Sequence, residues 1–240
     1  MLAKNYNYLL KIEYDGTSFV GWQYQKNGIS VQEKIEKALS KIFNSQIRIN
    51  GAGRTDKGVH ALGQYANFKV NKKIESEKKF LNSINFFLKK YLISITKIKK
   101  KTNVFHSRHD AKERIYVYKI INRVGSLSLN KNKAWHIKKK LNINLLKKGA
   151  KLLQGKHDFS TFRASSCSSN SPIKKMNAVH IKKKGDEITI EFKSKSFLQN
   201  QVRSMVGSLE YLSCGKWTLN DFKRAIKSKK RSECAPPAPA

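Results

Sequence analysis

Apolar and polar residues alternate from Tyr6 to Tyr14 through Tyr8, Leu10 and Ile12, and this period of two predicts a strand that Asp15-Gly16 ends as a turn. The next apolar set, Val31, Ile35, Ala38, Leu39 and Ile42, recurs at helical spacing. Ser30 followed by Glu33 gives this helix a capping-box start, and it should close near Asn44. Between turn and helix, TSFVGWQYQKNG sets Phe19, Trp22 and Tyr24 among polar residues, which reads as an exposed aromatic segment. Strand patterns follow at 46–50 and, less cleanly, at 64–70. A helix over 76–89 carries Phe80, Leu81, Ile84 and Leu88 on one stripe, and 91–104 reads as extended, interrupted by the basic run 97–101.

The polar segment HSRHDAKER (106–114) then joins a second set of elements. Ile115 to Ile121 is strand-like, with Tyr116 and Tyr118 on the same face. A helix starts at Asn142, carries Leu145, Leu146, Leu152 and Leu153, and stops at Gly155. After a small-residue polar loop (157–172), two strand patterns at 178–184 and 187–193 flank Gly185-Asp186 as a hairpin. A helix from about Phe197 to Gly215 carries Val202, Met205, Val206, Leu209 and Leu212, and Asn220 caps a short last one. The same strand–helix grammar recurs in both parts. It implies an α+β fold of two halves with mainly antiparallel sheets, 1–108 and 109–240.

Charge changes the picture most. Across 240 residues, Lys and Arg number 50 against 16 Asp and Glu, a formal net charge of +34. Such a chain repels itself and is drawn to polyanions, nucleic acid first. The Lys, Asn and Ile bias is of the kind an AT-rich genome produces, so part of that charge is solvated-face lysine. Runs at 97–101, 138–140, 182–184 and 227–231 together fit a tracked phosphate backbone. No apolar run approaches the roughly 18 residues of a spanning helix. The N-terminus lacks the apolar core and cleavage site of a signal peptide. Cys167, Cys214 and Cys234 form no Cys-x-x-Cys pair, which suggests reduced thiols and a cytoplasmic protein.

Candidate chemistry concentrates between Asn50 and Phe68, in N-GAGRTDKGVHALGQYAN-F. Arg54, Thr55, Asp56, Lys57 and His60 lie there among four glycines and between two strand patterns, so one side chain can be placed with precision. Asp56 is that candidate. Adjacent cations favour its ionised form and suit it to act as nucleophile or base; the competing reading is a loop carboxylate in an Asx-turn. GAG lacks the endings of a P-loop or a dinucleotide fingerprint. His106 and His109 have no accompanying Cys or carboxylate cluster, so no metal site is expected. Arg203 sits in an apolar helix, where it must snorkel or find a partner. Tyr116 is equally read as a core strand aromatic.

The loop GAGRTDKGVHALGQ resembles the active-site signature of the bacterial tRNA pseudouridine synthase A family. IEYDGTSFVGWQ (12–23), VQEKIEKAL from Val31, HDFSTFR (157–163) and QNQVRSMVGSL (199–209) resemble that family's other blocks, in order. The resemblance implies a cofactor-free isomerase that converts uridine to pseudouridine in the tRNA anticodon stem-loop, in that family at positions 38, 39 and 40. A pseudouridine synthase fold with a central catalytic cleft and a homodimeric assembly are implied with it. Asp56 matches the family's nucleophilic aspartate and Arg203 the arginine that pairs with it. Tyr116 matches the tyrosine set against the flipped uracil, and Arg54 the arginine that holds the base out. The substrate-binding set expected from this is Tyr116, Arg54, Thr55 and His60. Family members continue past the Ala-Pro-Ala stretch into a hydrophobic strand, whereas this sequence stops at CAPPAPA. Loss of that strand would expose a sheet edge and remove an apolar wall. The alternative to the enzyme is a catalytically inactive basic RNA-binding or RNA-chaperone protein.

Overall fold

The computed structural model describes residues 5–240. Part of the signal-peptide reading rests on residues 1–4, which lie outside the described residues. The chain divides into two compact units: one runs to Ala111 and takes in Ala240, and the other is Lys112–Pro239.

In the first unit, β1 (Tyr6–Tyr14) is central to a sheet with β2 (Ile49–Gly51), β3 (Ala61–Val70) and β4 (Ile93–Lys101), in the order β2-β3-β1-β4 and antiparallel throughout. The alternation read from sequence buries Tyr8, Leu10, Ile12 and Tyr14 on one face. That face packs with α1 (Val31–Phe43) and α2 (Glu77–Leu88), which contribute Val31, Ile35, Leu39, Phe80, Ile84 and Leu88 to a single core. Both helices start on a serine whose side chain accepts a backbone N–H three residues on, Ser30 from Glu33 and Ser76 from Lys79. Asn44 closes α1 in the left-handed conformation.

The aromatic segment differs from expectation. Phe19 and Trp22 are both 3% exposed, and only Tyr24 faces solvent. The segment has no regular period because it is a loop, yet its backbone bonds to the chain on two sides. Val20 N–H donates to Ile29 O, and Trp22 N–H donates to Thr55 O. These bonds turn both rings into the core.

In the second unit, β5 (Arg114–Asn122), β6 (Trp135–Ile137), β7 (Gly155–Asp158), β8 (Ile173–Lys184) and β9 (Glu187–Ser194) form a sheet ordered β6-β5-β9-β8-β7. Only the β5–β6 pair is parallel. The hairpin forms with Lys184 opposite Glu187 and Gly185 at φ +57°. Against the sheet pack α3 (Ile143–Leu153), α4 (Gln201–Ser213) and α5 (Leu219–Ser228). On α3 the fully buried side is Leu146, Gly149, Ala150 and Leu153, and Leu145 and Leu152 flank it. A Cβ on Gly149 would come within 2.7 Å of Leu209 and Leu212, so α3 and α4 approach there at glycine distance.

Several boundaries moved: the strand expected at 46–50 is Ile49–Gly51, the one at 64–70 starts at Ala61 and the one at 178–184 starts at Ile173. The helix expected from Phe197 begins at Gln201, because Asn200 takes the left-handed conformation at φ 60° and the Leu198 N–H donates to Gln201 Oε1. The cap of α5 is Thr218, in a reciprocal capping box with Asp221, and not Asn220. Part of the loop read over 157–172 is ordered as β7 and a 3-10 turn, with Phe159 and Phe162 wholly buried.

Candidate active site

The loop that follows β2 is held from two directions. On its strand side, Ala52 N–H donates to Tyr65 O at 2.7 Å, and Gln64 Nε2 donates to Gly53 O at 2.8 Å. On the other side lies the 14–22 segment. Tyr14 and Thr55 share a hydroxyl–hydroxyl hydrogen bond of 2.8 Å, Trp22 N–H donates to Thr55 O at 3.1 Å, and Gly58 N–H donates to Phe19 O at 3.4 Å. Gly16 N–H donates to His60 Nδ1 at 3.0 Å. His60 also stands 3.3 Å from Asp15 Oδ1.

Close backbone approach makes this clamp possible. A Cβ on Gly16 would lie 2.1 Å from Val59 O. One on Gly21, whose φ is +125°, would lie 2.7 Å from Thr55 O. Asp56 sits at the head of this clamp, half-buried, its own carbonyl accepting the Val59 N–H across a tight turn. Arg54 and Lys57 on either side are exposed. The result is a carboxylate on a backbone that cannot drift, with cations facing solvent beside it.

Sequence reasoning found this loop and missed its scaffold. Tyr14, Gly16, Gly21 and Trp22 position Asp56, and the signal was present in YDGTSFVGW as two glycines and three aromatics in a row of nine. Glu36 was also missed. It is buried on α1, accepts the Ile49 N–H at 3.0 Å and an Arg48 guanidinium N–H at 2.9 Å, and so ties the helix to the strand that enters the loop.

The other two candidate residues belong to the second unit. Tyr116, on β5, is half-buried and meets Phe197 edge-on, with ring centroids 4.9 Å apart and an interplanar angle of 82°. Arg203 lies in the first turn of α4. A cation is unfavourable there, because the N-terminal helix dipole is positive. Its Nε donates to the Ala238 carbonyl at 2.8 Å, and its own carbonyl accepts the Ala238 N–H at 3.0 Å. Two bonds thus fix Arg203 to one residue of the segment that follows α5. The rings of His106 and His109 lie 4.5 Å apart, tilted by 50°. No group of three or more His, Cys, Asp or Glu among the described residues is placed to hold a metal ion.

Comparison with known proteins covers nearly the whole chain. A family model described as tRNA pseudouridine synthase matches residues 11–110 and 150–240. The chain is 55% identical over 235 residues to a tRNA pseudouridine synthase A of Pelagibacter ubique, covering 98% of this chain and 96% of the relative. It is 41% identical to the protein of that name from Maricaulis maris, covering 97% and 93%, and 40% identical to the one from Caulobacter vibrioides, covering 97% and 94%.

Proposed function

The chain belongs to the tRNA pseudouridine synthase family, and from that premise we propose that it isomerises uridine to pseudouridine at positions 38, 39 and 40 in the anticodon stem-loop of tRNA. The observation that carries the assignment to Asp56 is the clamp: a half-buried carboxylate whose loop is bonded to β3 on one side and to residues 14–22 on the other. Such a loop meets a reacting centre without reorganising, which lowers the barrier through positioning.

Substrate and product are isomers, so the reaction needs no net oxidant or reductant. The N1–C1′ bond of the uridine breaks, the base turns, and C5 bonds to C1′. C5 gives up its proton and N1 ends protonated. The target nucleotide leaves its stack to be reached. Asp56 is the nucleophile that promotes glycosidic cleavage. Tyr116 offers an aromatic face to the unstacked base, since ring stacking stabilises any base that has left its neighbours. Arg203 supplies the cation for the Asp56 carboxylate, and exposed Arg54 holds the flipped base out of the helix. Thr55 and His60 each commit a polar atom to the clamp, and we assign them to holding the loop at the substrate. The active species is a homodimer acting on tRNA in the cytoplasm. Among the described residues no helix is long and apolar enough to cross a membrane.

The test is tritium release from tRNA transcripts labelled at uridine C5, since forming the new bond expels that tritium. Wild type should release it and Asp56→Asn should not, with tRNA binding retained by both. Tritium release by Asp56→Asn at the wild-type rate removes Asp56 from the chemistry. Binding by wild type with no release would leave an RNA-binding protein and overturn the proposal.

A further inference from the structure

The segment that follows α5 is laid along α4 as a strap. Ala235 and Ala238 are 2% and 1% exposed, and Ala238 is part of the second unit's core. At Gly207 the fit is closest, since a Cβ there would stand 2.0 Å from Pro236 O. Ala238 then makes two hydrogen bonds with Arg203, accepting from its Nε at 2.8 Å and donating to its carbonyl at 3.0 Å. One residue further on, the Tyr118 hydroxyl donates to Pro239 O at 2.7 Å. Tyr118 comes from β5, two residues from Tyr116 and on the same face of that strand. Its ring is held edge-on by Trp135 at 6.3 Å.

The strap occupies one edge of the guanidinium through its Nε. With Nε bound to the Ala238 carbonyl, a carboxylate cannot be met side-on through Nε and must be met end-on through the two Nη groups. Burial pushes the Tyr118 phenol above its ordinary value, against the pull of the nearby Arg203 charge, so the hydroxyl stays a donor across the working pH range.

We propose that Tyr118 is a positioning residue for the isomerisation, its hydroxyl fixing the Pro239 carbonyl and thereby the strap that orients Arg203. This rests on the reading of Arg203 as a participant in the reaction. The role differs from that of Tyr116, because Tyr118 acts through main chain and touches no substrate.

The experiment is a double-mutant cycle on single-turnover tritium release from C5-labelled tRNA. Tyr118→Phe is expected to lower the rate about three- to tenfold, the effect of one hydrogen bond, with tRNA affinity unchanged and Tm lowered by no more than a few degrees. In an Arg203→Lys background, which has no Nε to orient, the same substitution should cause no further loss. Gly207→Ala displaces the strap without touching Tyr118 and should reproduce the loss of rate with binding kept. Should Arg203→Lys be slow while Tyr118→Phe keeps the wild-type rate, the strap has no positioning role. An equal fractional loss from Tyr118→Phe in both backgrounds overturns the coupling in the same way. A wild-type rate in Arg203→Lys instead removes Arg203 from the reaction, and the role of Tyr118 falls with it.

Discussion

Gly21 places a strained backbone against the carbonyl that immediately precedes Asp56. Its φ of +125° lies where an L side chain is rarely found, and a methyl there would stand 2.7 Å from Thr55 O. Gly21→Ala is therefore expected to destabilise the protein by about 1–3 kcal/mol and to slow tritium release as well, because the clash falls on the Asp56 loop. Gly185 is the control. It too has positive φ, at +57°, but nothing lies within 4 Å of its added Cβ. Gly185→Ala should cost about 1–2 kcal/mol and leave turnover per folded molecule unchanged. Thermal melts and release rates, measured on both variants, separate the two positions; equal effects on turnover would argue against the clamp. The loop around Asp56 was legible as a candidate because it packs a carboxylate, two cations and an imidazole between glycines. Phe19 and Trp22 were not legible, since no period marks a buried loop and their environment comes from chain distant in sequence.

Elements were readable where their signals are local. Ser30 caps α1 as expected, and the residues at which α2 and α3 were read to start, Ser76 and Asn142, prove to be their caps, because a cap needs only three neighbours. β6 was not readable. It has three residues, and what makes it a strand is parallel pairing with β5, Ile120 opposite Trp135, across an intervening loop. α5 shows a local signal assigned to the wrong residue: Thr218 and Asp221 bond each other reciprocally, and Asn220 lies inside the helix. The Thr218 hydroxyl and N–H hold the Asp221 carboxyl below its ordinary value near 3.8. A lowered carboxyl contributes stability that is fully present above the ordinary value and is lost as pH falls through the lowered one. Thr218→Ala should lower Tm by about 2–4 °C near neutral pH. The gap between variant and wild type should narrow as the pH is taken below the ordinary carboxylate value. A gap independent of pH would mean that the carboxylate has no part in the cap.

At the scale of the molecule, a net charge of +34 could be lysine drift or a binding surface, and the two predict opposite costs. Cross-strand pairing sets Lys11 opposite Lys97 on neighbouring strands of the first unit. Like charges directly opposite destabilise a sheet, so a fold with no use for them gains by losing one. Lys97 is exposed, on β4 at the edge of its sheet, and belongs to the 97–101 run. If that run lies along the phosphate backbone, Lys97→Gln should leave Tm the same or higher while weakening tRNA binding. The affinity would lose its salt dependence in proportion, the slope of log K against log salt becoming shallower by about 0.9 for each phosphate contact removed. Binding titrations of wild type and variant between 50 and 200 mM salt, with thermal melts beside them, read both quantities. A variant that gains stability and keeps the wild-type slope would place Lys97 among the solvated lysines. One that gains stability and loses slope would show a sheet that tolerates its own repulsion because RNA relieves it.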